Sequence, residues 1–173
     1  MKILIKSRTE IETMSRTQFP THTALISITD AGHEFAELKY KPEFLLQVAF
    51  DDVDNDIFID ELGHKPNEGE RQSLEEKYKM LTDSQALQIA SFYYDHKDTI
   101  STLICQCEHG QSRSAAVAAA ILEFRSRRGI SVFSHDNYYP NKVVFRKVLS
   151  ALKDCIPVLD ANPADLPKES FTQ

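Results

Sequence analysis

A chain of 173 residues with 42% hydrophobic and 27% charged side chains is long enough to bury one substantial core and too short for two ordinary domains. Its formal net charge of -6 argues against nucleic acid as a partner, because binding a polyanion ordinarily leaves a basic footprint on the protein. No apolar run approaches the roughly 18 residues that span a bilayer, the start of the chain lacks a signal-peptide core, and three cysteines cannot build a secreted disulfide framework, so the expectation is a cytoplasmic protein with no membrane partner.

Lys2 to Lys6 has the apolar character of a first strand, and Ser7-Arg8-Thr9-Glu10 forms a Ser-x-x-Glu capping box before a short helix carrying Ile11 and Met14. Thr23 to Thr29, rich in Leu, Ile and Thr and closed by Asp30-Ala31-Gly32, predicts a second strand. Glu43 to Phe50 predicts a third, which runs into the acidic stretch Asp51-Asp52-Val53-Asp54-Asn55-Asp56. Residues 57 to 81 offer few apolar positions, then Gly63, Pro66 and Gly69 and a charged run, and read as a mobile loop bearing a short helix.

Thr82-Asp83-Ser84-Gln85 is a second capping box, and Ala86, Ile89, Ala90 and Tyr93 follow at helical spacing before a strand over Ile100 to Cys105. Ala115 to Leu122 is apolar all round, which marks a buried helix, with Gly129 placed to end it. Pro140-Asn141 precedes an amphipathic helix with Val144, Phe145, Val148, Leu149 and Leu152. The division expected is a folded domain over 1–156 and a loose C-terminal tail over 157–173. Strands alternating with helices predict a single α/β domain. Its sheet is mostly parallel, of four to five strands with helices on both faces, and places sites at the carboxyl ends of the strands.

One stretch carries chemistry: Cys107-Glu108-His109-Gly110-Gln111-Ser112-Arg113-Ser114, between the last strand and the Ala-rich helix. A strand that stops at a Gly-containing turn and feeds a helix aims several backbone N–H groups at one spot, with the positive helix end behind them. That is a phosphate cradle. The same field favours a thiolate over a thiol at Cys107, and Arg113 supplies a planar fork that matches two phosphate oxygens. The bland alternative makes Cys107 a small buried hydrophobe and Arg113 a solvated helix-start residue. The joint occurrence of Gly110, Ser112 and Ser114 around the Cys-x5-Arg spacing weighs against it.

The stretch resembles the Cys-x5-Arg signature of the cysteine-dependent protein tyrosine phosphatases, in the Cys-x-x-Gly-x-Ser-Arg-Ser form of the dual-specificity-like bacterial branch. The resemblance is closest over Ile100 to Phe124, and it extends to Phe44–Asp54 and Tyr138–Leu149. It implies a tyrosine phosphatase-like fold and a phosphomonoester hydrolase that needs no metal or cofactor and works through a phosphocysteine. Its substrate would be a phosphorylated protein or a small phosphoester. By residue it implies Cys107 as nucleophile, Arg113 as clamp and Ser114 as partner of the departing sulfur. Glu108, His109, Gly110, Gln111 and Ser112 would line the cradle through their main-chain amides.

A general acid on a separate loop is also implied. Bacterial relatives place Phe-Asp-Asp-Ile after the third strand, where this chain has Phe50-Asp51-Asp52-Val53, so Asp52 is the first candidate, with Asp51 and Asp54 behind it. Two features depart from the family or narrow it. The usual His before the nucleophile is Gln106 here, and the absence of Trp removes the Trp-Pro-Asp loop of the large tyrosine-specific enzymes.

Rival readings follow from the same residues. Asp52, Asp54 and Asp56 occupy places 1, 3 and 5 of an EF-hand pattern that then fails at Ile57 and Gly63, and no zinc-ligand spacing exists. Cys105 reads as a core cysteine in preference to a resolving thiol, and Asn141 as a helix cap with no further role. Two further functions stand as alternatives: a catalytically weak phosphate-binding module, favoured by Gln106, and a phosphatase of a non-protein ester such as a phosphoinositide. The physiological substrate and the oligomeric state are left open by the sequence.

Overall fold

Four strands, β1 (Lys2–Ser7), β2 (Thr23–Thr29), β3 (Phe44–Ala49) and β4 (Thr102–Cys107), pair in the order β1-β4-β2-β3, every pair parallel. This computed structural model describes residues 1–54 and 56–155, and the tail expected over 157–173 lies outside them. Parallel strands need crossovers, and α1 (Arg8–Met14), α4 (Asp83–His96) and α5 (Arg113–Ser126) cover the sheet, with α7 (Lys142–Asp154) packed on α4 and α5. The expected α/β architecture is therefore observed, with four strands from the range of four to five.

The period of two along a strand sorts side chains between two cores of unequal size. Ala24, Ile26, Ile28, Leu103, Cys105 and Cys107 face the larger core with Ile89 and Ala90 of α4, Ala116 and Ala120 of α5, and Val148 and Leu152 of α7. Leu25 and Ile104 face the smaller one, with Ile11 of α1 and Ala36. Every residue of β2 is buried, as a central parallel strand covered on both faces requires. Every residue of α5 from Arg113 to Ile121 is buried as well. Its alanines let the helix sit close to both the sheet and α7, which places its N-terminus at the carboxyl edge of β4.

Both capping boxes form. Ser7 Oγ accepts the Glu10 N–H while the Glu10 carboxylate accepts the Ser7 N–H, and Thr82 and Gln85 repeat the arrangement at α4. No helix among the described residues is long and apolar enough to cross a membrane.

Two expectations are corrected. The region from 57 to 81 holds two helices, α2 (Asp56–Leu62) and α3 (Glu68–Lys77), where one short helix in a loop was expected. Phe58, Leu74 and Met80 form a small core with Val143 of α7, and Glu61 bonds Lys77 and Tyr78 across the pair. Each helix buries one side chain, too sparse a pattern to register as periodicity. The Asn67 to Glu70 capping box was the signal available. Gly129, expected to end α5, does not. The helix stops at Ser126 with Arg127 left-handed at φ 57.

Gly129 begins α6 (Ile130–Phe133), and a Cβ there would lie 2.7 Å from Ala119 O and 2.7 Å from Glu123 Cβ. Its role is close packing of α6 on α5. Gly129→Ala should therefore destabilise the protein by about 1–3 kcal/mol through overpacking, read as a lower denaturant midpoint at unchanged m-value. An unchanged midpoint would contradict the packing account.

Candidate active site

β4 ends at Cys107, which is 2% exposed, and α5 starts at Arg113. The five residues 108–112 must reverse the chain between them. Gly110 makes the turn at φ +69, and a Cβ there would sit 2.6 Å from Ser7 N and 2.8 Å from Lys6 C. Glycine is thus required twice, for the left-handed backbone and for the close approach to the β1–α1 junction. Arg8 N–H donates to Glu108 O at 3.0 Å and Tyr139 N–H to Gln111 O at 2.9 Å, so the loop is anchored from both sides through its carbonyls.

The loop's N–H groups are used differently. Among the described residues no backbone acceptor is found for the N–H groups of Glu108, His109, Gly110, Gln111 and Ser112. Ser112 occupies the N-cap of α5 without a side-chain capping bond, and its hydroxyl donates to Asp52 Oδ1 at 2.7 Å. The positive end of a 14-residue helix therefore keeps its first amides open, the arrangement that binds anions. Cys107 Sγ lies at the base of this loop, 3.0 Å from Ser114 Oγ.

Arg113 is 3% exposed. Its Nη1 donates to Phe50 O at 2.7 Å and pairs with Asp30 Oδ1 at 2.6 Å. Its Nε lies 3.9 Å from Asp52 Oδ2 and, although buried, has no hydrogen-bond partner among the described residues. An unpaired buried N–H on a cation is costly, and a phosphate oxygen in the cradle would satisfy it. One edge of the guanidinium is spent on the fold, and Nε is left over.

The three candidate acids separate by geometry. Asp52 Oδ1 accepts from Ser112 Oγ at 2.7 Å and from Asn141 Nδ2 at 3.0 Å, while Oδ2 is the oxygen nearer Arg113. Asp51 Oδ1 accepts the Ala31 N–H, and Asp54 Oδ2 accepts the Lys142 N–H at 3.4 Å. Asp52 touches the cradle through Ser112 Oγ. Beside it opens a cleft of about 520 Å³ bounded by Asp52, Asp54, Ser112, Tyr139 and Lys142, with Phe133 and Tyr138 adding aromatic surface.

No protein-family model and no curated protein matches the chain. Solved structures do resemble it in outline. Tk-PTP in the active form is 14% identical with a TM-score of 0.47, over 90% of this chain and 94% of that one. PTPMT1 in complex with PI(5)P is 8% identical with a TM-score of 0.47, over 88% and 91%. TpbA of P. aeruginosa is 12% identical with a TM-score of 0.42, over 88% and 80%.

Three polar residues at the site escaped the sequence reading. Asp30 holds Arg113, Asn141 holds Asp52 and also donates to Val53 O, and Arg8 holds Glu108 through Nε to Oε2 at 2.6 Å. Asn141 does cap α7 as expected, its Oδ1 accepting the Val143 and Val144 N–H groups, but the other end of its amide reaches the acidic loop. Gln106 is buried with Oε1 accepting from Ser27 Oγ at 2.7 Å. Burial, with Cys107 adding to it, pushes the Cys105 thiol far above the ordinary thiol range, so Cys105 is a core side chain with no ready thiolate. His109 and Gln111 lie at the exposed rim. Among the described residues no group of three His, Cys, Asp or Glu is gathered to hold a metal ion.

Gly110 carries the sharpest steric demand in the loop. Gly110→Ala should push the cradle off Ser7, lowering stability by about 1–3 kcal/mol and weakening inorganic phosphate binding by about tenfold or more, as calorimetry would read. Wild-type stability and affinity together would show that the cradle does not depend on this approach.

Proposed function

We propose that this protein is a phosphomonoester hydrolase of the cysteine-dependent protein tyrosine phosphatase type, with residues 1–156 as its catalytic domain. The observation that carries the reading is a single convergence at the carboxyl edge of the sheet. Cys107 beside Ser114, Arg113 with its unpartnered buried Nε, and Asp52 with one oxygen doubly held meet around one set of open amides.

The Cys107 thiolate attacks phosphorus in line, the P–O bond to the leaving group breaks, and Asp52 gives its proton to the leaving oxygen. With two donors on Oδ1, that proton resides on Oδ2, the oxygen on the Arg113 side. The cradle amides and Arg113 hold the equatorial oxygens, whose charge is spread in the transition state. Water then attacks the phosphocysteine, Asp52 takes its proton, and the S–P bond breaks with the Ser114 hydroxyl donating to the departing sulfur. No step uses a metal ion or an organic cofactor.

The cleft beside Asp52 supports an aryl ester over a polyphosphorylated headgroup. Phe133, Tyr138 and Tyr139 line it beside polar residues, and of its charged groups the carboxylates Asp52 and Asp54 outnumber Lys142. This lining favours a phosphorylated protein as substrate, at phosphotyrosine alone or with dual specificity.

The protein should hydrolyse an aryl phosphate in EDTA, and Cys107→Ser should abolish turnover while keeping phosphate binding, because the cradle is mostly backbone. Residual activity above about 1% of wild type would mean that another nucleophile operates.

Asp52→Asn should slow phenyl phosphate hydrolysis by roughly 10²–10⁴ while a strongly activated aryl phosphate suffers far less, since a good leaving group departs without a proton. Asp51→Asn should not show that dependence on the leaving group. If it does and Asp52→Asn does not, the acid is assigned one residue too late.

A further inference from the structure

Glu108 is the one acid in the cradle loop 108–112, and an unpaired carboxylate there would oppose any bound phosphate. Arg8 pairs with it. Arg8 Nε donates to Glu108 Oε2 at 2.6 Å, and Arg8 N–H donates to Glu108 O at 3.0 Å, so one residue holds both the side chain and the backbone of the cradle's second position. The rest of the guanidinium is committed to the edge of the sheet: Nη2 donates to Thr29 Oγ1 at 3.0 Å and to Glu34 O at 2.8 Å, and Nη1 lies 3.7 Å from Glu12 Oε1. Thr29 directly precedes Asp30, the partner of Arg113. The two ends of the cradle are thus tied through one short segment, at Glu108 by Arg8 and at Arg113 by Asp30.

We infer that Arg8 is a positioning residue for the anion site, which turns the Glu108 carboxylate away from the bound phosphate and offsets its charge. The inference rests on the cradle binding phosphate, as proposed above. Arg8 has no place in the bond-making steps; it acts through Glu108. The pair is partly buried, with side-chain exposures of 23% and 37%, so its field is screened less than that of a surface pair and remains sensitive to salt.

The test is inorganic phosphate binding by calorimetry in the Cys107→Ser protein, which needs no turnover. Arg8→Ala should weaken phosphate binding by about tenfold at low salt, with the deficit shrinking as ionic strength rises. Adding Glu108→Gln to Arg8→Ala should restore most of the loss, because the carboxylate that opposed the anion is gone even though the staple is still broken. In turnover the Arg8→Ala loss should appear in KM far more than in kcat. Unchanged affinity in Arg8→Ala would overturn the inference, as would a loss that Glu108→Gln fails to rescue, since that marks Arg8 as a staple only. If Arg8→Ala does not fold, Glu108→Gln alone decides: it leaves Arg8 unmatched and should tighten phosphate binding at low salt, and no change overturns the inference. A parent protein that binds no phosphate would overturn the functional reading along with it.

Discussion

The site depends on the burial of one guanidinium. Arg113 is almost wholly removed from water, and an unpaired buried charge costs several kcal/mol, so the surrounding chain must answer it. Asp30 at the end of β2, and Phe50 and Asp52 just past the end of β3, supply the answer through a carboxylate at 2.6 Å, a carbonyl and a more distant carboxylate. Those residues reach Arg113 because β4, β2 and β3 are adjacent and parallel. All three strands therefore deliver their carboxyl ends to one edge. Strand order is thus part of the electrostatics of the site: an antiparallel β3 would carry Phe50 and Asp52 to the opposite edge.

α7 is the second element on which the edge depends. Asn141 spends its amide completely, accepting two helix N–H groups with Oδ1 and donating to Asp52 and Val53 O with Nδ2. Its orientation is consequently fixed without ambiguity. Start of helix and position of acid become one event, and the small core of Phe58, Leu74, Met80 and Val143 packs α2 and α3 onto the same end of α7. The segment that looked like a loop in the sequence is a buttress for the acidic loop.

The contrast between what was legible and what was not follows sequence distance. The cradle is local: a strand end, a glycine, a serine-flanked arginine and a helix lie within Cys107–Ser114, so their spacing alone implied the geometry. The capping boxes at Ser7 and Thr82 are local for the same reason. The residues that were missed act on partners far away in sequence: Asp30 on Arg113, Asn141 on Asp52, and Arg8 on Glu108. Polar side chains of this kind carry no periodicity, and their meaning appears only after the sheet order is known. Asp52 is intermediate, chosen from three acids by resemblance and separated from Asp51 and Asp54 only by contacts.

Under the proposed function, the charge distribution around the cradle bears on how a phosphate would bind. Asp30 and Glu108 are paired with Arg113 and Arg8, and Asp51, Asp52 and Asp54 share the edge with Lys142 in a chain whose net charge is -6, so no long-range field draws a phosphate in. Attraction must come from groups in contact: open amides, a helix end and the free edge of Arg113, all effective over one turn of helix or less. Such a site rewards a dianion that is already docked through the rest of its molecule and gives little to one that arrives free. Under the proposed function the cleft beside Asp52, with Phe133, Tyr138 and Tyr139 in its wall, would supply what the field does not, a surface on which an uncharged leaving group holds the ester in place while the short-range donors act on the phosphate.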